Sequence, residues 1–157
     1  MTDHLVRQLG PADLDDFAKL LTLFAEAFND PESYADRRPR PEYLRRLLGK
    51  DHFIALAAAD GDALVGALAA YVLEKFEQER SEVYIYDLAV AQTHRRRGVA
   101  TALIRELERI AASRGARVIF VQADHGDDPA IALYTKLGAR EDVLHFDIAV
   151  QPGVTAQ

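Results

Sequence analysis

The chain has no cysteine, which excludes disulfides, thiolate metal sites and cysteine nucleophiles together. It has no apolar run near the roughly 20 residues that a membrane-spanning helix needs. Residues 1–9 lack both a basic n-region and an apolar h-region, so no signal peptide is expected and the cytoplasm is the expected compartment. The Gly-Lys-Ser/Thr ending of a P-loop is missing, and so is the Gly-x-Gly-x-x-Gly of a dinucleotide site. There is no internal repeat and no low-complexity run. Positive charge is also short: 19 Lys and Arg stand against 25 Asp and Glu, a net charge of −6. That argues against nucleic acid, whose phosphates attract basic surfaces, and suits a cationic small molecule.

What remains is ordinary for one soluble globular domain: 157 residues, 49% hydrophobic and 28% charged. The expected domain runs over residues 1–150, with residues 151–157 as a disordered tail. Residues 4–9 alternate as a short strand. Pro11-Ala12-Asp13 opens a helix whose apolar face is Leu14, Phe17, Leu21, Phe24 and Phe28. Residues 33–41 read as a loop, and residues 41–48 as a short helix closed by Gly49. Residues 53–59 and 63–73 form a hairpin about Asp60-Gly61-Asp62. Residues 82–90, rich in Tyr, Ile and Val, read as a central strand. A helix carries Ala100, Leu103, Leu107, Ile110 and Ala111 and ends at Gly115. Residues 117–123 form another strand. Asp127-Asp128-Pro129 starts a helix that runs to Leu137, and residues 143–148 close as a strand. The order predicts an α/β domain: a mixed, mostly antiparallel sheet with helices on both faces.

Between the strand at 82–90 and its following helix lies His94-Arg95-Arg96-Arg97-Gly98-Val99-Ala100. The first N–H groups of a helix have no partner within it, and the helix dipole adds partial positive charge at the same end. A pyrophosphate suits that place. Gly98 allows close backbone approach, Ala100 is small, and the three arginines add charge for phosphates. The segment resembles the Gln/Arg-x-x-Gly-x-Gly/Ala motif of the GNAT acetyltransferase superfamily. The resemblance implies a GNAT fold with splayed central strands. It implies that acetyl-CoA is held by the backbone of residues 96–101, by Arg95, Arg96, Arg97, Gly98, Val99, Ala100 and Thr101. It further implies that Leu88, Ala89 and Val90 pair with pantetheine, and that Gln122, Asp128, Ala130 and Tyr134 add cofactor contacts.

An amine attacking a thioester expels a thiolate, which needs a proton donor nearby. Tyr134, in Leu133-Tyr134-Thr135-Lys136-Leu137-Gly138, is the candidate by position in the superfamily; a phenol of pKa about 10 stays protonated at neutral pH. A strand N–H, that of Leu88 or Val90, could polarise the carbonyl. The amine must first lose a proton. Asp87 is the candidate base, because an acid inside the apolar strand Tyr84-Ile85-Tyr86-Asp87-Leu88-Ala89-Val90 is costly unless it faces a cleft, water or a partner. Alternation sets Asp87 opposite Tyr86 and Leu88. Glu82, at the strand's start, is the backup base.

Residues 121–147 hold six acids, Asp124, Asp127, Asp128, Glu141, Asp142 and Asp147, against Lys136 and Arg140. Asp128 reads as a helix cap; Asp124 and Asp127 are freer to meet a cation. YIYDLAV and QADHGDDPA, with FIALAA, HRRRGVATALI and HFDI, resemble the aminoglycoside 3-N-acetyltransferases of the GNAT type. That resemblance implies transfer of acetyl to the 3-amino group of 2-deoxystreptamine, with Asp87 as base. It implies a drug-binding set of Tyr34, Tyr86, Asp87, Asp124, Asp127, Glu141 and Asp142, with Glu26, Asp30 and Tyr34 on the acceptor wall. It also implies a homodimer and no metal. Two alternatives stay open: an acetyltransferase of polyamines or other small amines, and a non-catalytic acyl-CoA-binding module.

Overall fold

The computed structural model describes residues 4–153. The described residues fall into two compact units that divide between Gln122 and Ala123. The first unit is a five-stranded sheet in the order β1-β2-β3-β4-β5, with β1 Leu5–Gln8, β2 Phe53–Asp60, β3 Ala63–Glu74, β4 Ser81–Val90 and β5 Ala116–Val121. All neighbours pair antiparallel except β4 and β5, which are parallel. The sheet is therefore mixed and mostly antiparallel, as the element order predicts. β2 is buried on both faces along its apolar run, as a central strand must be.

Helices cover both faces. On one face α1 (Leu14–Ala27) and α2 (Pro41–Leu48) bury Phe17, Leu20, Phe24, Leu44 and Leu48 against Phe53, Ala55, Ala57, Ala67 and Ala89. On the other lies α3 (Val99–Ser113), with Leu103 and Leu107 fully buried. Gly66 of β3 faces α3: a Cβ there would lie 2.5 Å from Val99 Cγ1 and 3.1 Å from Leu103 Cδ1. The missing side chain thus sets how near α3, and the turn that precedes it, approaches the sheet.

Two segments differ from the sequence expectation. Overlapping the start of the expected loop 33–41, Glu32–Asp36 form a π-helical turn. A single turn of this wide kind has no propensity signature and arises from packing, here of Tyr34 on Phe24 and Phe28 at centroid distances of 5.7 and 5.6 Å. The second unit contains α4 (Asp128–Leu137), but residues 143–148, expected as a strand, form none. A strand exists only when a neighbour takes up its N–H and C=O groups. No strand is present in the described part of this unit, and Leu144, Phe146 and Ile148 stand exposed. Of the expected tail, residues 151–153 carry no regular structure and residues 154–157 lie outside the described residues.

Candidate active site

Asp87 owes its placement to a β-bulge. Ala69 pairs with Asp87 and Ala70 with Ile85, which leaves Tyr86 as the extra residue on β4. Paired residues share a face, so Asp87 joins Ala69, and Ala89 joins Ala67, on the α1 face of the sheet. Simple alternation, which sets Asp87 opposite Tyr86, fails here because the extra residue resets the phase. The Tyr86 ring instead stands against Tyr71 and Tyr84, with centroids 5.9 and 5.8 Å away. Bulges re-aim side chains in this way beside functional sites.

Asp87 is half-buried, and its Oδ2 accepts a hydrogen bond of 2.9 Å from the Tyr34 hydroxyl. Burial pushes the carboxyl above the ordinary carboxylate range, and the Tyr34 bond pulls part of the way back. The Tyr34 phenol is pushed far up, first by burial and then by Asp87, so it stays protonated and donates. Glu82, the backup base, makes an ion pair with Arg80 at 3.5 Å. Of the remaining expected acceptor-wall residues, Asp30 accepts from the Ser33 N–H at 3.1 Å, and Glu26 lines a shallow groove with Lys19, Thr22 and Arg38.

Next to Asp87 the sheet opens. β4 pairs with β5 only as far as Ile85 with Val121, although β4 continues to Val90. Among the described residues, the β5-side edge of residues 86–90, including Leu88, Ala89 and Val90, has no strand partner. This is the splay that the resemblance implies. Tyr84 stacks on Phe120 at 4.7 Å and donates to Gln122 Oε1 at 2.9 Å, so Gln122 is engaged within the sheet.

The turn after β4 begins with a 3-10 turn, Gln92–His94. Arg96 has φ 62° and Gly98 φ 83°, so two left-handed residues flank Arg97 before α3 starts. Arginine in that region is strained, and strain of this kind marks ligand clamps. Among the described residues, none of the N–H groups of residues 96–101 donates to an acceptor, and none of Arg95, Arg96 and Arg97 forms an ion pair. A nest of free N–H groups at a helix start is an anion seat. His94 fastens this turn to the β2–β3 hairpin: its Nε2 lies 2.9 Å from Asp60 Oδ2 and its Nδ1 2.8 Å from Thr93 Oγ1. His94 also holds the Asp60 carboxyl below the usual range. Sequence reasoning missed Asp60. A contact across 34 residues leaves no local pattern to read.

In the second unit Asp127, not Asp128, caps α4: its Oδ1 accepts from the Ala130 N–H at 3.4 Å, and Asp128 is the first helical residue. Asp127 is thus less free for a cation than expected, and the Ala130 N–H is partly used. Asp142 pairs with Arg140 at 2.8 Å. Asp124, Asp128 and Glu141 form no ion pair among the described residues. The Tyr134 hydroxyl is pushed up to about 12, by burial first and then by the Asp127 charge, and stays a donor at neutral pH. Among the described residues no cluster of three or more His, Asp or Glu could hold a metal ion, and no helix is long and apolar enough to cross a membrane.

Residues 17–139 match the acetyltransferase (GNAT) family. The chain belongs to this family. The match spans most of the first unit and α4. This GNAT protein is 60% identical to a crystallised aminoglycoside acetyltransferase from an uncultured soil metagenomic sample, over 96% of this chain and 100% of the other, with a TM-score of 0.94. Another aminoglycoside acetyltransferase of that source, in complex with sisomicin, is 32% identical over 94% of this chain and 97% of the other, with a TM-score of 0.87. An acetyltransferase of Pectobacterium atrosepticum is 30% identical over 128 residues, 78% of this chain and 80% of that protein. Two longer curated relatives are spanned over 40% and 25% of their lengths. The protein is an acetyltransferase, which sets aside the non-catalytic module, and GNAT acetyltransferases in general use acetyl-CoA.

Proposed function

We propose that the protein moves acetyl from acetyl-CoA to the 3-amino group of 2-deoxystreptamine aminoglycosides. The observation that carries the reading is 60% identity over nearly the whole chain to an aminoglycoside acetyltransferase, with Asp87 half-buried beside an open strand edge. The specific amino group rests on YIYDLAV and QADHGDDPA. Acetyl-CoA fits the residues present: the N–H groups of 96–101, which meet no acceptor among the described residues, and Arg95, Arg96 and Arg97, which form no ion pair there, suit a pyrophosphate, and the edge at Leu88–Val90 suits a pantetheine amide pair.

When bound, acetyl-CoA supplies the acetyl thioester. The chain does the rest. An aminoglycoside amine arrives as an ammonium and gives one proton to the Asp87 carboxylate. The freed lone pair forms the new C–N bond as the C–S bond breaks. The N–H of Leu88 or Val90 steadies the carbonyl oxygen. Tyr134 donates a proton to the sulfur, and the second amine proton leaves to solvent or back to the phenolate. The net change is one ammonium and one thioester converted to one amide, one thiol and one proton. Asp124 and Glu141, which form no ion pair among the described residues, serve the drug's other ammonium groups.

Thiol release from acetyl-CoA is measured with gentamicin, kanamycin and spermidine as acceptors, and the product is mapped by mass spectrometry. Acetylation at the 3-amino group of the drugs is the expected result. Turnover of spermidine alone would replace the drug by a polyamine, and acetylation at another ring amine would remove the regiochemistry.

A further inference from the structure

Among the described residues the π-helical turn Glu32–Asp36 has one polar link to the sheet, and that link ends on Asp87. Tyr34 reaches Asp87 across 53 residues of sequence. Its ring is seated independently of its hydroxyl, against Phe24 and Phe28. Among the described residues no other side chain donates to Asp87, and its Oδ1 makes no hydrogen bond. The titratable groups around the pair are Tyr71 on β3, Tyr84 and Tyr86 on β4, Asp30 at the foot of the π turn, and Arg38, whose Nε donates to the Tyr34 carbonyl at 3.4 Å and whose Nη2 donates to Thr22 Oγ1 at 2.7 Å. Among the described residues no cation forms an ion pair with Asp87. A half-buried carboxylate without an ion-pair partner is disfavoured by desolvation, and the hydrogen bond it accepts from Tyr34 offsets part of that cost.

We propose that Tyr34 is a positioning residue for Asp87: its hydroxyl holds the carboxylate in the proton-accepting form and leaves Oδ1 as the oxygen that meets the acceptor amine. This rests on the reading of Asp87 as the base and goes beyond it by assigning what keeps that base usable. The hydroxyl fixes Oδ2, so the side-chain torsion is set before substrate arrives. Because the Tyr34 phenol itself stays protonated, it remains a donor across the working range and never competes for the amine's proton. The π turn is the structural means, since its wider winding carries Tyr34 between the aromatic cluster of α1 and the bulged strand.

The test compares Tyr34→Phe with the wild type. Phenylalanine keeps the ring and its stacking and removes only the donor. The acidic limb of kcat/KM against pH, with gentamicin as acceptor, is expected to move up by about one pH unit, the size of one hydrogen bond to a charged group. At the foot of the limb this is about a tenfold loss, shrinking towards wild type at alkaline pH, with KM for acetyl-CoA unchanged. A merely structural role would lower activity equally at every pH. Carbon-13 titration of the Asp87 carboxyl in the two proteins reads the same shift without turnover. An unmoved limb and titration in Tyr34→Phe, beside an inactive Asp87→Asn, overturns the role of Tyr34 and leaves the base in place. Full turnover by Asp87→Asn overturns both.

Discussion

Gly66→Ala tests how the sheet positions the phosphate turn. A Cβ at residue 66 would sit 2.5 Å from Val99 Cγ1, 3.1 Å from Leu103 Cδ1 and 3.3 Å from Ala58 Cβ. Val99 is the first residue of α3, is buried, and is stiff about its side-chain torsion, so it cannot turn away cheaply. Overpacking of this kind costs about 1–3 kcal/mol. Against it stands a gain of about 0.4–1 kcal/mol, because alanine restricts the unfolded chain. At the middle of both ranges the clash wins, with a net loss of about 1 kcal/mol, which for a chain of this length lowers Tm by about 2–4 °C. The alternative to paying in stability is a shift of α3 outward, which drags residues 96–98 with it and raises KM for acetyl-CoA. Differential scanning calorimetry and acetyl-CoA titration read the two effects. The partner variant Val99→Ala removes Cγ1, and the double variant is expected to lose less than the two single losses together. Wild-type Tm and wild-type acetyl-CoA affinity in Gly66→Ala, or strict additivity in the cycle, would refute the argument.

Asp87→Asn is expected to lower kcat by about 10²–10⁴-fold and abolish the acidic limb of the rate profile, while acetyl-CoA still binds; an unchanged rate profile removes Asp87 from the mechanism. Because burial raises the Asp87 carboxyl in the folded state, folding favours its protonated form, so stability from this group is present at low pH and lost as pH rises through the raised value. The same Asp87→Asn variant is therefore expected to gain Tm at pH 8 relative to wild type and not at pH 4; a loss at pH 8 would show that the ionised carboxylate is a stabilising partner. Gly98→Val places a branched side chain at φ 83° with no protein atom within 4 Å of its Cβ, so the strain is in the backbone and the bulk points into the anion seat. Calorimetric titration is expected to show acetyl-CoA affinity reduced at least about tenfold, the effect of roughly 1.4 kcal/mol; wild-type affinity would place the pyrophosphate elsewhere. Tyr134→Phe is expected to lower kcat by about 10–100-fold without adding a pH limb, since the hydroxyl, pushed up to about 12, is protonated throughout the assay range; equal kcat would relieve Tyr134 of proton donation.

Much of the fold was legible because it is written in local patterns. The periodic apolar face of residues 14–27, the hairpin at Gly61, the Tyr- and Val-rich strand at 81–90 and the glycine before α3 each act through near neighbours in sequence. The phosphate turn was legible for the same reason, since a helix start and its glycine are adjacent residues. Asp87 stood out because a charge in an apolar strand is costly wherever the strand folds. Its direction did not: the bulge at Tyr86 depends on the register between β3 and β4, which is chosen by pairing across the sheet.

The Tyr34–Asp87 and His94–Asp60 contacts close over 53 and 34 residues, and no local preference encodes them. The π turn follows from where Tyr34 can seat its ring. The cap of α4 fell one residue earlier than read, because Asp127 and Asp128 are chemically alike and only backbone geometry separates them. Residues 143–148 have a strand's alternation, yet alternation supplies only one face, and a strand also requires a partner for its backbone. The sequence by itself thus determined most of the helices and strands of the first unit and the chemistry available at each, which are properties of short stretches of chain. Tertiary structure alone decided which oxygen of Asp87 is held and which is free, because hydrogen bonds between distant segments exist only once the sheet has chosen its register.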